Sequence, residues 1–157
     1  MIFQIRVYIA SKLNHAEKFQ KLSQTWENIY MTAGWVNYHA MVRAIPAGAQ
    51  FGKPAMHWQQ DNFDDIIRSH CVLAYVERGE HMKGGLVEIG FALAHGKKVF
   101  LCTDADEGQH PDFSAWQMGS SLVSRPRTIQ RAIEEIKKFG WGQDKMYDKN
   151  GEKIKEN

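Results

Sequence analysis

In the stretch GGLVEIGFALAHGKKVFL, residues 84–101, a single acid stands among apolar neighbours. Glu88 is flanked by Leu86, Val87, Ile89, Phe91, Ala92 and Leu93, in the pattern of a helix starting against a core. A carboxylate that gives up hydration there is costly unless something local compensates. The placement offers a compensation. Directly after Gly84 and Gly85, Glu88 falls in the first turn of the predicted helix, where unpaired backbone N–H groups and the positive end of the helix dipole favour an anion. An acid that stays ionised while partly dehydrated, over the binding crevice, reads as a functional group. The two glycines would let a ligand approach the backbone without a side chain in the way. The plainer reading, a first-turn acid reaching solvent, sits poorly with so little polar surface around it.

The elements that must position this acid alternate between strand and helix signals. IRVYIA (5–10) reads as a first strand, followed by the polar turn SKLN and a helix whose apolar residues, Phe19, Leu22, Trp26, Ile29, Tyr30 and Ala33, keep helical spacing up to Gly34. WVNYHA reads as a short strand. Residues 43–57 have no clear period and form a predicted loop long enough to cover a site. WQQDNFDDIIRSH (58–70) reads as a helix, CVLAYV (71–76) as a buried strand, ERGEHMKGG (77–85) as a polar turn, and KKVFLCT (97–103) as another strand. SLVS near 121 is a candidate short strand. Ile129, Ala132, Ile133, Ile136 and Phe139 line a last amphipathic helix, which Gly140 should end. The chain thus reads as one domain over 1–140 with a polar tail over 141–157.

Such alternation predicts an α/β fold, a doubly wound parallel sheet with helices on both faces. Ligands then bind beyond the carboxyl ends of the strands. That edge collects Tyr8 to Lys12, Glu77 to Glu88, and Thr103 to Ser120. Composition narrows the partners. Lys and Arg total 20 against 18 Asp and Glu, interspersed, which gives no footprint for a nucleic-acid polymer. No apolar run is long enough for a membrane span. Cys71 and Cys102, the only cysteines, lie in apolar strand-like runs and read as small buried hydrophobes in a reducing cytoplasm.

VYIAS, CVLAYV, a polar loop, GGLVEIGFALAHGKKVFL and a closing helix resemble the nucleoside 2-deoxyribosyltransferase family, including the 2'-deoxynucleoside 5'-monophosphate N-glycosidases. The specific part is G-x-x-x-E-[LI]-G-x-A-x-x-x-G-K-x-V, matched by Gly84, Glu88, Ile89, Gly90, Ala92, Gly96, Lys97 and Val99. The resemblance implies a flavodoxin-like, Rossmann-like single domain, usually a homo-oligomer (dimer or higher), acting on a nucleoside or nucleotide without metal or organic cofactor. It implies that Glu88 attacks the anomeric carbon to form a glycosyl-enzyme, which water or a second base then resolves. Tyr8 matches the tyrosine that orients the nucleophile. Ser11 and Lys12 fall where monophosphate-using relatives contact phosphate, and Lys83 adds a basic group beside Gly84 and Gly85.

The family aspartate that contacts the base or leaving group has an ambiguous register here. Counting back from Glu88 falls near Asn62, with Asp61 and Asp64 on either side; Asp61 is the choice and Asp64 the second. Trp58, with the loop holding Arg43 and Phe51, is placed to close over a base. Two departures from the family bear on substrate identity. Met82 stands where an aspartate is common, so that a sugar contact is missing or comes from His81 or Glu80. His70 stands where many members have an aspartate before the third strand.

Other functions remain open from sequence alone. A catalytically silent nucleotide sensor on the same scaffold would tolerate Met82 and His70, but has no use for a nucleophile aimed at a sugar carbon. A flavin carrier is disfavoured because SKLNHAE lacks a phosphate cradle. A metal hydrolase built on His57, Asp61, Asp64 and His81 lacks a recognised ligand spacing.

Overall fold

The computed structural model describes residues 5–11, 15–23, 29–33, 36–37, 55–82, 84–104 and 120–146. Of residues 16, 20, 23, 29–33, 36–37, 55–59, 61 and 141–146 it describes the backbone alone. Ile5–Ala10 forms strand β1 and Cys71–Tyr75 forms β4; apart from exposed Arg6 near the start of β1 and half-buried Tyr75 at the end of β4, both are buried on two sides, as central strands of a parallel sheet should be. Between them come helix α1 (Ala16–Ser23), β2 (Ile29–Ala33), β3 (Val36–Asn37) and α2 (Ala55–Arg68). After them come α3 (Gly84–Ala94), β5 (Lys98–Cys102), β6 (Val123–Ser124) and α4 (Ile129–Met146).

The sheet runs β3-β2-β1-β4-β5-β6. Every pairing is parallel except the short β3 edge, which returns antiparallel along β2. Chain order reverses between β1 and β4, which makes their carboxyl ends the topological switch point. One face buries Phe19 of α1 and Ala132 and Ile136 of α4 against Val7, Ile9, Leu73 and Phe100. The other buries Ile66 of α2 and Ile89 and Ala92 of α3 against Tyr8, Val72, Ala74 and Val99. The doubly wound α/β architecture read from the sequence is the one observed.

Three local expectations differ. The first helix stops at Ser23, and Ile29–Ala33 is a strand. The helical spacing of Ile29, Tyr30 and Ala33 is outweighed by parallel pairing of Ile29–Thr32 with Ile5–Tyr8, which sequence spacing does not contain. Second, α2 begins at Ala55, inside the predicted loop. Third, α4 passes through Gly140 to Met146. A Cβ at Gly140 would lie 2.5 Å from Ile5 Cγ1, so this glycine serves close packing against β1 and not helix termination.

Much of the recognisable motif has a structural job. Gly96 adopts φ 70°, and the Gly96 and Lys97 amides close the end of α3 on the Leu93 and Ala92 carbonyls, a left-handed C-terminal cap. Lys97 Nζ donates to the carbonyls of Ile67 (3.0 Å) and Ser69 (2.9 Å) and so closes the end of α2. His70 lies at the amino ends of the strands, away from the binding edge. Its Nδ1 accepts the Arg6 amide (3.0 Å), and its own amide donates to the Arg6 carbonyl (2.8 Å). This departure from the family is therefore a stitch between β1 and the start of β4.

Burial, with Arg6 and Lys97 nearby, lowers the His70 pKa from 6.5 to about 4. The folded protein holds His70 neutral where the unfolded chain would take up a proton, so stability present above about pH 6.5 is lost as pH falls towards 4. Allowing for solvent screening at this half-buried site, urea unfolding should show an acid-side loss of about 1–2 kcal/mol that His70→Ala removes.

Candidate active site

Helix α3 starts at Gly84, which makes Glu88 its fifth residue. The acid thus lies beyond the first turn, and the unpaired N–H groups expected to hold it ionised are not its partners. Side chains from two other elements take that role. Asn62 of α2 donates its Nδ2 to Glu88 Oε1 at 3.2 Å. The hydroxyl of Tyr8, only 1% exposed on β1, also hydrogen-bonds the carboxylate. Burial wins over both bonds and raises the Glu88 pKa from 4.5 to about 7. At neutral pH the site therefore holds comparable amounts of carboxylate and acid, and proton uptake is cheap.

The register of α2 on α3 is set by a stacked pair. Phe63 and Phe91 lie 3.9 Å apart at 6°, and Phe91 leans on His95 at 4.3 Å. This packing brings Asn62 to Glu88. Asn62 Oδ1 is buried with no hydrogen-bond partner among the described residues, an acceptor placed beside the acid. Of the two sequence candidates nearby, Asp64 accepts from Gln60 at 2.9 Å within its own helix. The side chain of Asp61 lies outside the described residues. Asn62 is the position that counting back from Glu88 reaches, and its amide, unlike the flanking acids, carries no charge to mark it in the sequence.

Met82 is 4% exposed and packs with Tyr8 and Ile89 in the core. A Cβ on Gly85 would collide with the Met82 side chain, which gives Gly85 a packing reason as well as a ligand-access one. Gly84 is exposed with open space where a Cβ would stand. His81 is exposed, and Ser11 is half-buried just past the carboxyl end of β1. Lys12, Lys83, Arg43 and Phe51 lie outside the described residues, and His57 and Trp58 are described only as backbone of α2.

Glu80 is engaged elsewhere. His15 Nε2 lies 2.9 and 3.0 Å from its two oxygens, and Glu80 accepts the Glu77 amide at 2.8 Å. The Glu77 carboxylate accepts from the Tyr75 hydroxyl (2.8 Å) and Lys18 Nζ (3.3 Å), which hold its pKa below the usual range. His15, Glu77 and Glu80 keep donor atoms within 4.8 Å of one another, the one metal-compatible group among the described residues. With Lys18 on Glu77 and the imidazole on both Glu80 oxygens, it forms a hydrogen-bonded cluster that ties α1 to the β4–α3 turn. Cys71 and Cys102 are free and buried, and burial pushes the Cys102 thiol up to about 12. Neither is a nucleophile at neutral pH.

No described helix is long and apolar enough to cross a membrane. A search of curated proteins gives no match to the chain. A family model described as nucleoside 2-deoxyribosyltransferase matches residues 7–153, a span that includes Tyr8, Asn62 and Glu88. With that match across nearly the whole chain, on a flavodoxin-like sheet whose switch point is flanked by a half-buried glutamate, the protein belongs to the nucleoside 2-deoxyribosyltransferase family.

Proposed function

We propose that the protein cleaves the N-glycosidic bond of a (deoxy)nucleoside or its 5'-monophosphate through a covalent glycosyl-Glu88 intermediate. The observation that carries this reading is the half-buried Glu88 carboxylate, held between the Tyr8 hydroxyl and the Asn62 amide with its pKa raised to about 7. Ionised Glu88 attacks the anomeric carbon. The C–N bond breaks, and its electron pair leaves with the base, which takes up a proton. In the second step water or another base attacks the same carbon and the carboxylate departs, so the configuration is retained overall. Tyr8 and Asn62 orient the oxygen that attacks. The unpartnered Asn62 Oδ1 accepts a hydrogen bond from the substrate, in the place where Asp61 or Asp64 was expected to act. As an amide it cannot supply a proton at neutral pH, so protonation of the leaving base falls to another group or to water. Ser11, with Lys12 and Lys83, is assigned to a 5'-phosphate, and His81, Gly84, Gly85 and Trp58 to the rest of the substrate.

The test is chromatographic. Ribo- and deoxynucleosides and their 5'-monophosphates are incubated with the protein, with and without a free acceptor base. Release of base from at least one class is expected, and a new nucleoside in the presence of acceptor identifies the transferase. No turnover of any substrate would overturn the proposal in favour of a nucleotide sensor.

A second copy of the chain is proposed to cover α3. Apart from Glu88 this helix is apolar all round, as buried helices are, yet Val87 is 50% exposed and Ile67 on the neighbouring helix 48%. Val87→Asp should shift sedimentation from dimer or higher to monomer with an unchanged circular dichroism spectrum; a wild type already monomeric at micromolar concentration would refute the assignment.

A further inference from the structure

A group that hydrogen-bonds the nucleophile of a displacement is confined to one face of the sugar. The attacking oxygen comes in opposite the bond that breaks, so the leaving base lies across the sugar ring from it. In a β-nucleoside the hydroxyls at C2' and C3' point to the attacked side. Asn62 sits with the attacking group, because its Nδ2 donates to Glu88 Oε1 at 3.2 Å. That bond settles which arm of the amide is which. With Nδ2 on the acid, Oδ1 of the same planar group is an acceptor close by, buried and with no hydrogen-bond partner among the described residues.

On the attacked side of the ring the hydroxyls are the donors a nucleoside offers; the ring oxygen only accepts. A hydroxyl that donated to Glu88 would draw on the charge that must attack. A neutral amide oxygen takes the same hydrogen bond and leaves that charge in place. Other residues from which a sugar contact was expected are engaged elsewhere. Met82 is 4% exposed and packs in the core with Tyr8, and Glu80 meets His15 Nε2 through both oxygens.

Taking Glu88 as the attacking group, as proposed, we infer that Asn62 determines specificity for the sugar and not for the base: its Oδ1 accepts from a hydroxyl, at C2' or C3', on the attacked face of the substrate. Steady-state kinetics test it, on the ribo, 2'-deoxy, 3'-deoxy and 2',3'-dideoxy forms of the nucleoside or 5'-monophosphate whose base is released fastest. Wild type is compared with Asn62→Leu, the smaller Asn62→Ala, Asn62→Asp and His81→Ala. Removing the hydroxyl that meets Oδ1 should cost wild type at least about ten-fold more in kcat/KM than it costs Asn62→Leu or Asn62→Ala, and the position showing that gap is the one bound. Comparison between proteins cancels each hydroxyl's intrinsic effect on C–N cleavage and the general loss from breaking the Asn62–Glu88 bond. Asn62→Asp keeps an acceptor and should keep the discrimination, whatever its overall rate. A gap absent at both positions, a gap that depends on His81 in place of Asn62, or an Asn62→Leu loss that varies ten-fold with the base on one sugar would overturn this role and leave Glu88 as nucleophile standing. No base released by wild type from any substrate would overturn both.

Discussion

Glu88→Gln should lower base release by at least about a thousand-fold, because the amide keeps the shape of the side chain and removes the nucleophilic oxygen pair. The same substitution should make the protein more stable above neutral pH. Between about pH 4.5 and 7 the folded protein keeps a proton on Glu88 that the unfolded chain releases, so wild-type stability falls as pH rises through that window. The substituted amide has no charge to bury, and its N–H can satisfy the Asn62 Oδ1, which has no partner among the described residues. At pH 8 the gain should approach about 2–3 kcal/mol, measured by urea denaturation against the same pair at pH 4.5, where the difference should largely vanish. Lost activity with raised stability is the expected pair of results. Lost activity with lost stability would mean that Glu88 is a structural acid.

Tyr8→Phe should cost about 10–100-fold in kcat/KM at pH 7, the worth of one hydrogen bond to a charged group. Its pH profile carries the sharper information. The Tyr8 hydroxyl favours the ionised carboxylate, so its removal raises the Glu88 pKa above about 7 and moves the acid limb of the profile to higher pH. Activity should therefore recover in part at pH 8 to 9. A uniform loss at every pH, with the limb unmoved, would show that Tyr8 acts through packing alone. That alternative has weight because Tyr8 is among the largest fully buried side chains of the core.

The parts of the fold legible in the sequence were those fixed by local pattern. The β-branched, largely apolar runs at Ile5–Ala10 and Cys71–Tyr75 read as strands of a buried sheet, and the glycines bracketing residues 84–96 marked both ends of α3. What failed depended on contacts between distant segments. Ile29 to Ala33 satisfies a helical spacing and a strand composition equally, and only pairing with β1 decides between them. Gly140 reads as a stop unless Ile5, at the other end of the chain, is known to lie against it.

The site shows the same division. Glu88 and Tyr8 could be picked because a lone acid in an apolar helix and a tyrosine at a strand end are conspicuous. The state of Glu88 could not be read. Its pKa reflects the burial provided by three elements, and a helix beginning at Gly84 puts the acid a residue too far in to benefit from the helix start. Asn62 was hidden for a related reason. Acids at Asp61 and Asp64 drew attention, while the stacking of Phe63 on Phe91 is what brings the amide to Glu88. Met82 and His70, read as departures touching the substrate, turned out to be a core residue and a backbone stitch at the far edge of the sheet.

The central claim is the covalent bond between a sugar and Glu88, and peptide mass spectrometry tests it directly. The protein is incubated with a nucleoside carrying fluorine at C2', which slows release of the sugar because the transition state is electron-poor at C1', then quenched in acid and digested. The account predicts one equivalent of base released and one sugar mass added to the peptide containing Glu88, absent in Glu88→Gln. Base release with no sugar on that peptide, or with the sugar on another residue, would contradict it.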